Sequence, residues 1–159
     1  MRTTDKHIFF WEGPFSQWYK SEFEVHGMTF GTAEQWMMYS KAKAFGDTEI
    51  AEQILATNNP KKQKALGRQV KNYDDDLWMA IAYDAVVIGN YAKFTQDASL
   101  YTLLESTRGK LLVEASPLDK RWGIGMAEND EGVDDPANWK GENLLGKAIT
   151  EVRVQLFGS

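Results

Sequence analysis

Apolar and polar positions change rhythm several times along the chain, and each change marks an element. Ile8-Phe9-Phe10-Trp11 is an unbroken apolar and aromatic run that Glu12-Gly13-Pro14 stops, as expected of a short strand. Phe15 to Tyr19 reads as an aromatic-rich loop. Phe23-Glu24-Val25 and Met28-Thr29-Phe30 then alternate around His26-Gly27, a two-residue hairpin signal in which glycine supplies positive φ.

From Thr32 the period changes to that of a helix. Thr32-Ala33-Glu34-Gln35 fits a capping box, with Thr32 as N-cap and Gln35 reaching back, and the helix runs to about Phe45 before Gly46. Asp47 caps a short second helix carrying Ile50, Ile54 and Leu55. Asn59-Pro60 opens a third, with proline at the first helical position, ending near Gly67. A long helix covers about Asp75 to Phe94, its predicted apolar stripe being Trp78, Ile81, Ala82, Ala85 and Ile88 or Gly89. Another covers Asp97 to Thr107 and stops at Gly109. Leu111-Leu112-Val113 is a short buried strand, Ser116 to Trp139 is loop-rich, and a final helix starts near Asn143.

Mostly helix with a few short strands that do not alternate regularly with the helices predicts an α+β fold rather than a doubly wound parallel sheet. No repeat or linker divides the chain, so residues 1–159 read as a single domain, and 159 residues at 43% hydrophobic content suffice for one sizeable core. There is no apolar run long enough to span a bilayer and no signal-peptide pattern near Met1, so the expected location is cytoplasmic.

The absence of cysteine excludes disulfides, thiolate metal sites and cysteine nucleophiles. With only His7 and His26, no metal site and no Ser-His-Asp triad is expected, and there is no Walker phosphate loop. A net charge of −5 argues against a broad basic face for duplex nucleic acid but not against a local phosphate pocket. Six tryptophans serve either a heavy core or stacking walls for a planar base.

Glu34 and Lys41 lie seven positions apart on the first helix, so both leave the same face about 10 Å apart along its axis. A carboxylate in a first helical turn is favoured in its ionised form and can act as a base or stabilise a cationic sugar. A lysine of lowered pKa can attack a sugar carbon and form an imine. On spacing alone the simpler account is an ordinary charged helix face. Arg68, near a helix end, serves equally as a phosphate ligand or as a cap for carbonyls. Asp119 and Trp122 stand between the predicted strand and Gly123-Ile124-Gly125, in a loop where a site or a local turn bond would both fit. Asp74-Asp75-Asp76 reads as the negative start of the long helix, and Trp139 sits in a polar stretch where stacking is unstrained.

Taken in order, these stretches resemble the NADAR family, also called YbiA-like. The matching segments begin with Gly13-Pro14-Phe15-Ser16-Gln17-Trp18, then Ala33-Glu34-Gln35-Trp36 continuing to Lys41-Ala42. Leu66-Gly67-Arg68, Trp78 and Ala92-Lys93-Phe94 follow. Leu112 to Pro117 with Asp119, Trp122-Gly123-Ile124-Gly125, and Asn143-Leu144-Leu145-Gly146 complete the set, which spans about Phe9 to Phe157. Each motif is short; their order and spacing are specific.

The resemblance implies an N-glycosidase acting on ribosylated compounds: phosphorylated early intermediates of riboflavin biosynthesis in one branch, ADP-ribosylated guanine in nucleic acid in another. It makes Glu34 the acidic catalytic residue and Lys41 the lysine of the family; Asp119 and Trp122 match its Asp-x-x-Trp-Gly pattern, and Arg68 and Asn143 match family positions to which the resemblance gives no role. From their chemistry, Asp119 is expected to orient the lysine or water, Trp122 to pack on base or sugar and Arg68 to hold phosphate, with Trp18, Asn143 and Trp139 completing the expected substrate-binding set. No metal or organic cofactor is expected, no membrane, and the partner is the ribosylated substrate itself. The alternative is a module that binds ADP-ribose or a related nucleotide without turnover, and a structural helical scaffold is the third reading.

Overall fold

The computed structural model describes residues 1–159. In chain order the elements are β1 (Arg2–Thr3), β2 (His7–Phe10), β3 (Phe23–Val25), β4 (Met28–Phe30), α1 (Ala33–Ala44), α2 (Thr48–Leu55), α3 (Pro60–Gly67), α4 (Asp75–Thr95), α5 (Ala98–Glu105), β5 (Leu111–Glu114) and α6 (Leu144–Phe157), with a 3-10 turn at Pro136–Asn138. Six helices and a few short strands make this the α+β class the sequence predicts. No helix is long and apolar enough to cross a membrane. The chain forms two compact units, Gln17–Asp97 and Met1–Ser16 with Ala98–Ser159.

In the unit Gln17–Asp97, β3 and β4 pair antiparallel with Phe23 opposite Phe30. His26 (φ 52°) and Gly27 (φ 79°) are both left-handed, the turn that matches strand twist in a two-residue hairpin. Helix α1 packs against α2, α3 and α4, which is why its residues 33–38 are buried all round. Its start is set by Thr32, whose Oγ1 accepts from the Gln35 amide at 3.0 Å. The reciprocal half of the expected capping box is displaced by one residue: Gln35 Oε1 accepts from Gly31 N at 2.8 Å, while its Nε2 donates to Ile54 O at 3.0 Å and Thr57 O at 3.1 Å. Gln35 is buried among backbone carbonyls at the end of α2, and satisfying those outweighs the local bond. Asp47 and Asn59 cap α2 and α3 as their positions predict.

The stripe predicted for α4 is partly wrong. Ile81 and Ile88 are each 46% exposed, whereas Val86, Asn90 and Lys93 are buried beside Trp78, Ala82 and Gly89. The helix is rotated by its partner's shape. A Cβ at position 89 would lie 2.3 Å from the Trp36 ring, so glycine makes the notch in which the indole sits, and Trp36 Nε1 donates to Ala85 O at 2.8 Å. That contact selects the Gly89 face over the more apolar one.

In the other unit, β2 pairs antiparallel with β1 and parallel with β5, His7 opposite Leu111 and Phe10 opposite Glu114. All four residues of β2 are buried, which explains the apolar Ile8-Phe9-Phe10; Trp11, the last residue of the predicted run, lies past the strand and is 49% exposed. Helix α6 covers β5 with Leu145, Ala148, Ile149 and Val152. The approach is set by Gly146, where a Cβ would lie 2.1 Å from Leu112 O and 2.4 Å from Asn143 Oδ1. Backbone cannot yield as a side-chain tip can, so Gly146→Ala is expected to destabilise by about 1–3 kcal/mol or more, read as a lowered denaturant midpoint. Wild-type stability in that variant would mean that helix and strand are not in this register.

Candidate active site

The first candidate cluster lies in the unit Gln17–Asp97. Glu34 occupies the first turn of α1 and is only 6% exposed. Its amide donates to Gln17 O at 3.0 Å, so the loop before the hairpin closes over the start of the helix. Two turns on, Lys41 is half-buried. Burial lowers its pKa below the ordinary lysine value, the charges of Glu34 and Asp75 oppose that, and Arg68 adds to it. One electrostatic neighbourhood therefore holds Glu34, Lys41 and Arg68, as the helical spacing and the α1–α3 packing place them. The Lys41 Nζ also stands 4.3 Å from the centroid of the Tyr73 ring.

Met38 lies between Glu34 and Lys41 in sequence and is buried against α3, where a Cβ on Gly67 would come within 2.1 Å of its sulfur. Packing this close brings Arg68, the residue after Gly67, to the same end of α1 as Lys41. The Arg68 side chain is exposed. Trp18 is 42% exposed, with the Lys64 Nζ 6.0 Å from its ring centroid, so an aromatic face and a cation stand together at the surface. Sequence reasoning missed Asp75 and Tyr73 as neighbours of Lys41, because Asp75 reads fully as a helix-start charge.

The second cluster lies in the loop after β5. Asp119 Oδ1 accepts from the amides of Arg121 at 2.9 Å and Trp122 at 2.8 Å, and Asp119 N donates to Ser116 Oγ at 3.2 Å. The turn is thus organised around one oxygen of the carboxylate. Ile124 N donates to Glu114 O at 2.9 Å and Gly125 N to Asp119 O at 3.2 Å, which folds residues 114–125 back on themselves. Gly123 permits this: a Cβ there would meet Asp119 O at 2.9 Å and Glu114 O at 3.0 Å. Trp122 is half-buried on this loop.

Asn143 is fully buried and left-handed (φ 54°). Its Oδ1 accepts from Glu114 N at 2.9 Å, its Nδ2 donates to Leu112 O at 3.1 Å, and its own amide donates to Gly123 O at 3.0 Å. Asparagine tolerates this backbone conformation and supplies both a donor and an acceptor. It fastens the end of β5 to the Asp119 loop and to the start of α6. Trp139 Nε1 donates to Val133 O at 2.8 Å, and its ring packs on His7 and Phe9 with centroids 5.3 and 6.5 Å away. That ring is part of the local core, and burial there lowers the His7 pKa.

The NADAR domain family model matches residues 9–157. The chain is 37% identical to Protein irg-1 of Caenorhabditis elegans over 97% of its length and 81% of the relative's. It is 39% identical to N-glycosidase R617 of Acanthamoeba polyphaga mimivirus, over 96% of this chain and 97% of that one. The solved structure of the Escherichia coli protein YbiA superposes with a TM-score of 0.78 at 28% identity, over 98% of this chain and 87% of that one. Matching in sequence across 149 residues and in fold over nearly its whole length, the chain belongs to the NADAR domain family.

Proposed function

We propose that this protein is an N-glycosidase that hydrolyses the bond between ribose and base in a phosphate-bearing, nucleotide-like substrate. The relatives named as N-glycosidases support the reaction class. The observation that carries the site is Lys41, an amine whose pKa burial holds down, in the electrostatic field of a buried carboxylate.

Breaking a ribosyl C–N bond builds positive charge on the sugar, which an ionised Glu34 stabilises. As the base departs with the bonding pair and takes a proton, the neutral Lys41 amine adds to the sugar's anomeric carbon. The ring oxygen then leaves that carbon as a hydroxyl, giving an imine. Water adds to the imine, the amine is released, and the products are free base and the phosphate-bearing sugar, which is ribose phosphate or, from guanine carrying ADP-ribose, ADP-ribose. Arg68 holds the phosphate and Trp18 packs against base or sugar. In the other unit, Asn143 fastens the loop that carries Asp119 and Trp122, and Trp139 belongs to its local core. The substrate is either a phosphorylated early intermediate of riboflavin biosynthesis or guanine carrying ADP-ribose.

A panel of such compounds, scored by chromatographic release of free base, tests the reading. One class is expected to be turned over, and Glu34→Gln to slow it by about 10²- to 10⁴-fold. Tight binding with no free base from any compound would replace the enzyme with a nucleotide-binding module.

A further inference from the structure

Helix α4 sends two polar side chains into the interior of the unit Gln17–Asp97, and one of them has an unusual bonding pattern. Asn90 is fully buried. Its Nδ2 donates to Gln17 Oε1 at 2.9 Å and to Val86 O at 2.9 Å, while its Oδ1 accepts nothing. Val86 O lies one turn back on the same helix, where the regular helical bond already serves it. The bond that reaches another part of the chain is the one to Gln17.

Gln17 has the other half of the connection. Its main-chain oxygen accepts from Glu34 N at 3.0 Å, and its Nε2 reaches Met37 Sδ at 3.9 Å. Residue 17 is therefore clamped by α4 through its side chain and grips the first turn of α1 through its backbone. Trp18 is the next residue. An interior acceptor left without a donor costs stability, and leucine would fill a similar volume without that cost. A device that is costly for the fold, and that ends on the turn bearing the buried carboxylate, calls for a role in the site.

We propose that Asn90 is a positioning residue for Glu34, acting through Gln17. Its donor fixes the Gln17 amide, Gln17 fixes the first turn of α1, and the carboxylate is held where positive charge develops on the sugar. The inference rests on the N-glycosidase reading above. A misplacement of the order of 1 Å can cost about 10²-fold in rate, so the link acts on turnover rather than on binding.

Steady-state kinetics and thermal unfolding of wild type, Asn90→Leu, Gln17→Leu and the double variant test it together. Each single variant is expected to lower kcat by about 10- to 100-fold with KM little changed, and in Asn90→Leu, which removes the unpaired oxygen, Tm is expected to equal that of wild type or exceed it. The double variant is expected to be no slower than the worse single one, since one link is broken in each. A second substitution guards against misfolding. Asn90→Asp replaces the donor with a carboxylate facing two oxygens, so its activity relative to wild type should recover as the pH falls and the group gains a proton to donate. Wild-type kcat in Asn90→Leu, or a loss of rate that only tracks a loss of Tm, overturns the inference while leaving the enzyme reading intact. A wild-type protein that releases no base from any substrate removes both.

Discussion

Lys41→Arg is expected to lower turnover on the order of 10⁴- to 10⁶-fold, the scale seen when an activated nucleophile is removed. Arginine keeps the charge and the length but stays protonated at every working pH, so it cannot supply a lone pair. The pH profile carries the same information. Burial lowers the Lys41 pKa, so the neutral amine appears at lower pH than in an exposed lysine, and kcat should rise with pH through that lowered value. Glu34 opposes the shift, holding the ammonium form in place. Removing its charge in Glu34→Gln should therefore move the limb of the residual activity toward acid. Borohydride added during turnover should leave a reduced sugar adduct on Lys41, located by mass spectrometry of the digested protein. A profile unmoved by Glu34→Gln, together with no adduct, would remove the amine from the covalent step.

Much of the framework is legible because short-range chemistry fixes it. Thr32, Asp47, Asn59 and Asp74 each accept from an amide within the next turn, and α1 to α4 begin where these residues stand. The His26-Gly27 turn is similarly local. What escapes the sequence is set at long range. Pairing of β2 with β5 joins residues about a hundred positions apart, and β1 is two residues with no alternation to announce it. The same applies to the site. Glu34 and Lys41 share a face by helical spacing, but Gln17 and Asn90 are joined across 73 positions, and neither type of side chain stands out in a sequence. Periodicity points to Ile81 and Ile88 for the interior, whereas the notch at Gly89 turns Asn90 and Lys93 inward. Polar residues at core positions look like errors in an apolar stripe, and that irregularity at 89–93 was the signal available.

Lys93 makes the strongest prediction about stability. It is fully buried on α4, with the Tyr19 ring centroid 5.5 Å and the Phe94 ring centroid 5.0 Å from its Nζ, and burial pushes its pKa down to about 7 from 10.5. The unfolded chain thus holds a proton on this amine between pH 7 and 10.5 that the folded chain has released. With more protons bound in the unfolded state, stability must rise with pH across that window, by at most about tenfold in the folding constant per pH unit, and its penalty is largest below pH 7. Lys93→Met keeps the volume and removes the titration. The variant is expected to unfold several degrees higher than wild type near pH 7, consistent with about 1–4 kcal/mol for replacing a buried charge by an apolar side chain. The difference should shrink steadily toward pH 10. Thermal unfolding of both proteins across this range isolates the effect, because every other titrating group is common to the two. A difference that stays constant with pH, or a variant less stable at pH 7, would show that the folded protein keeps this amine charged.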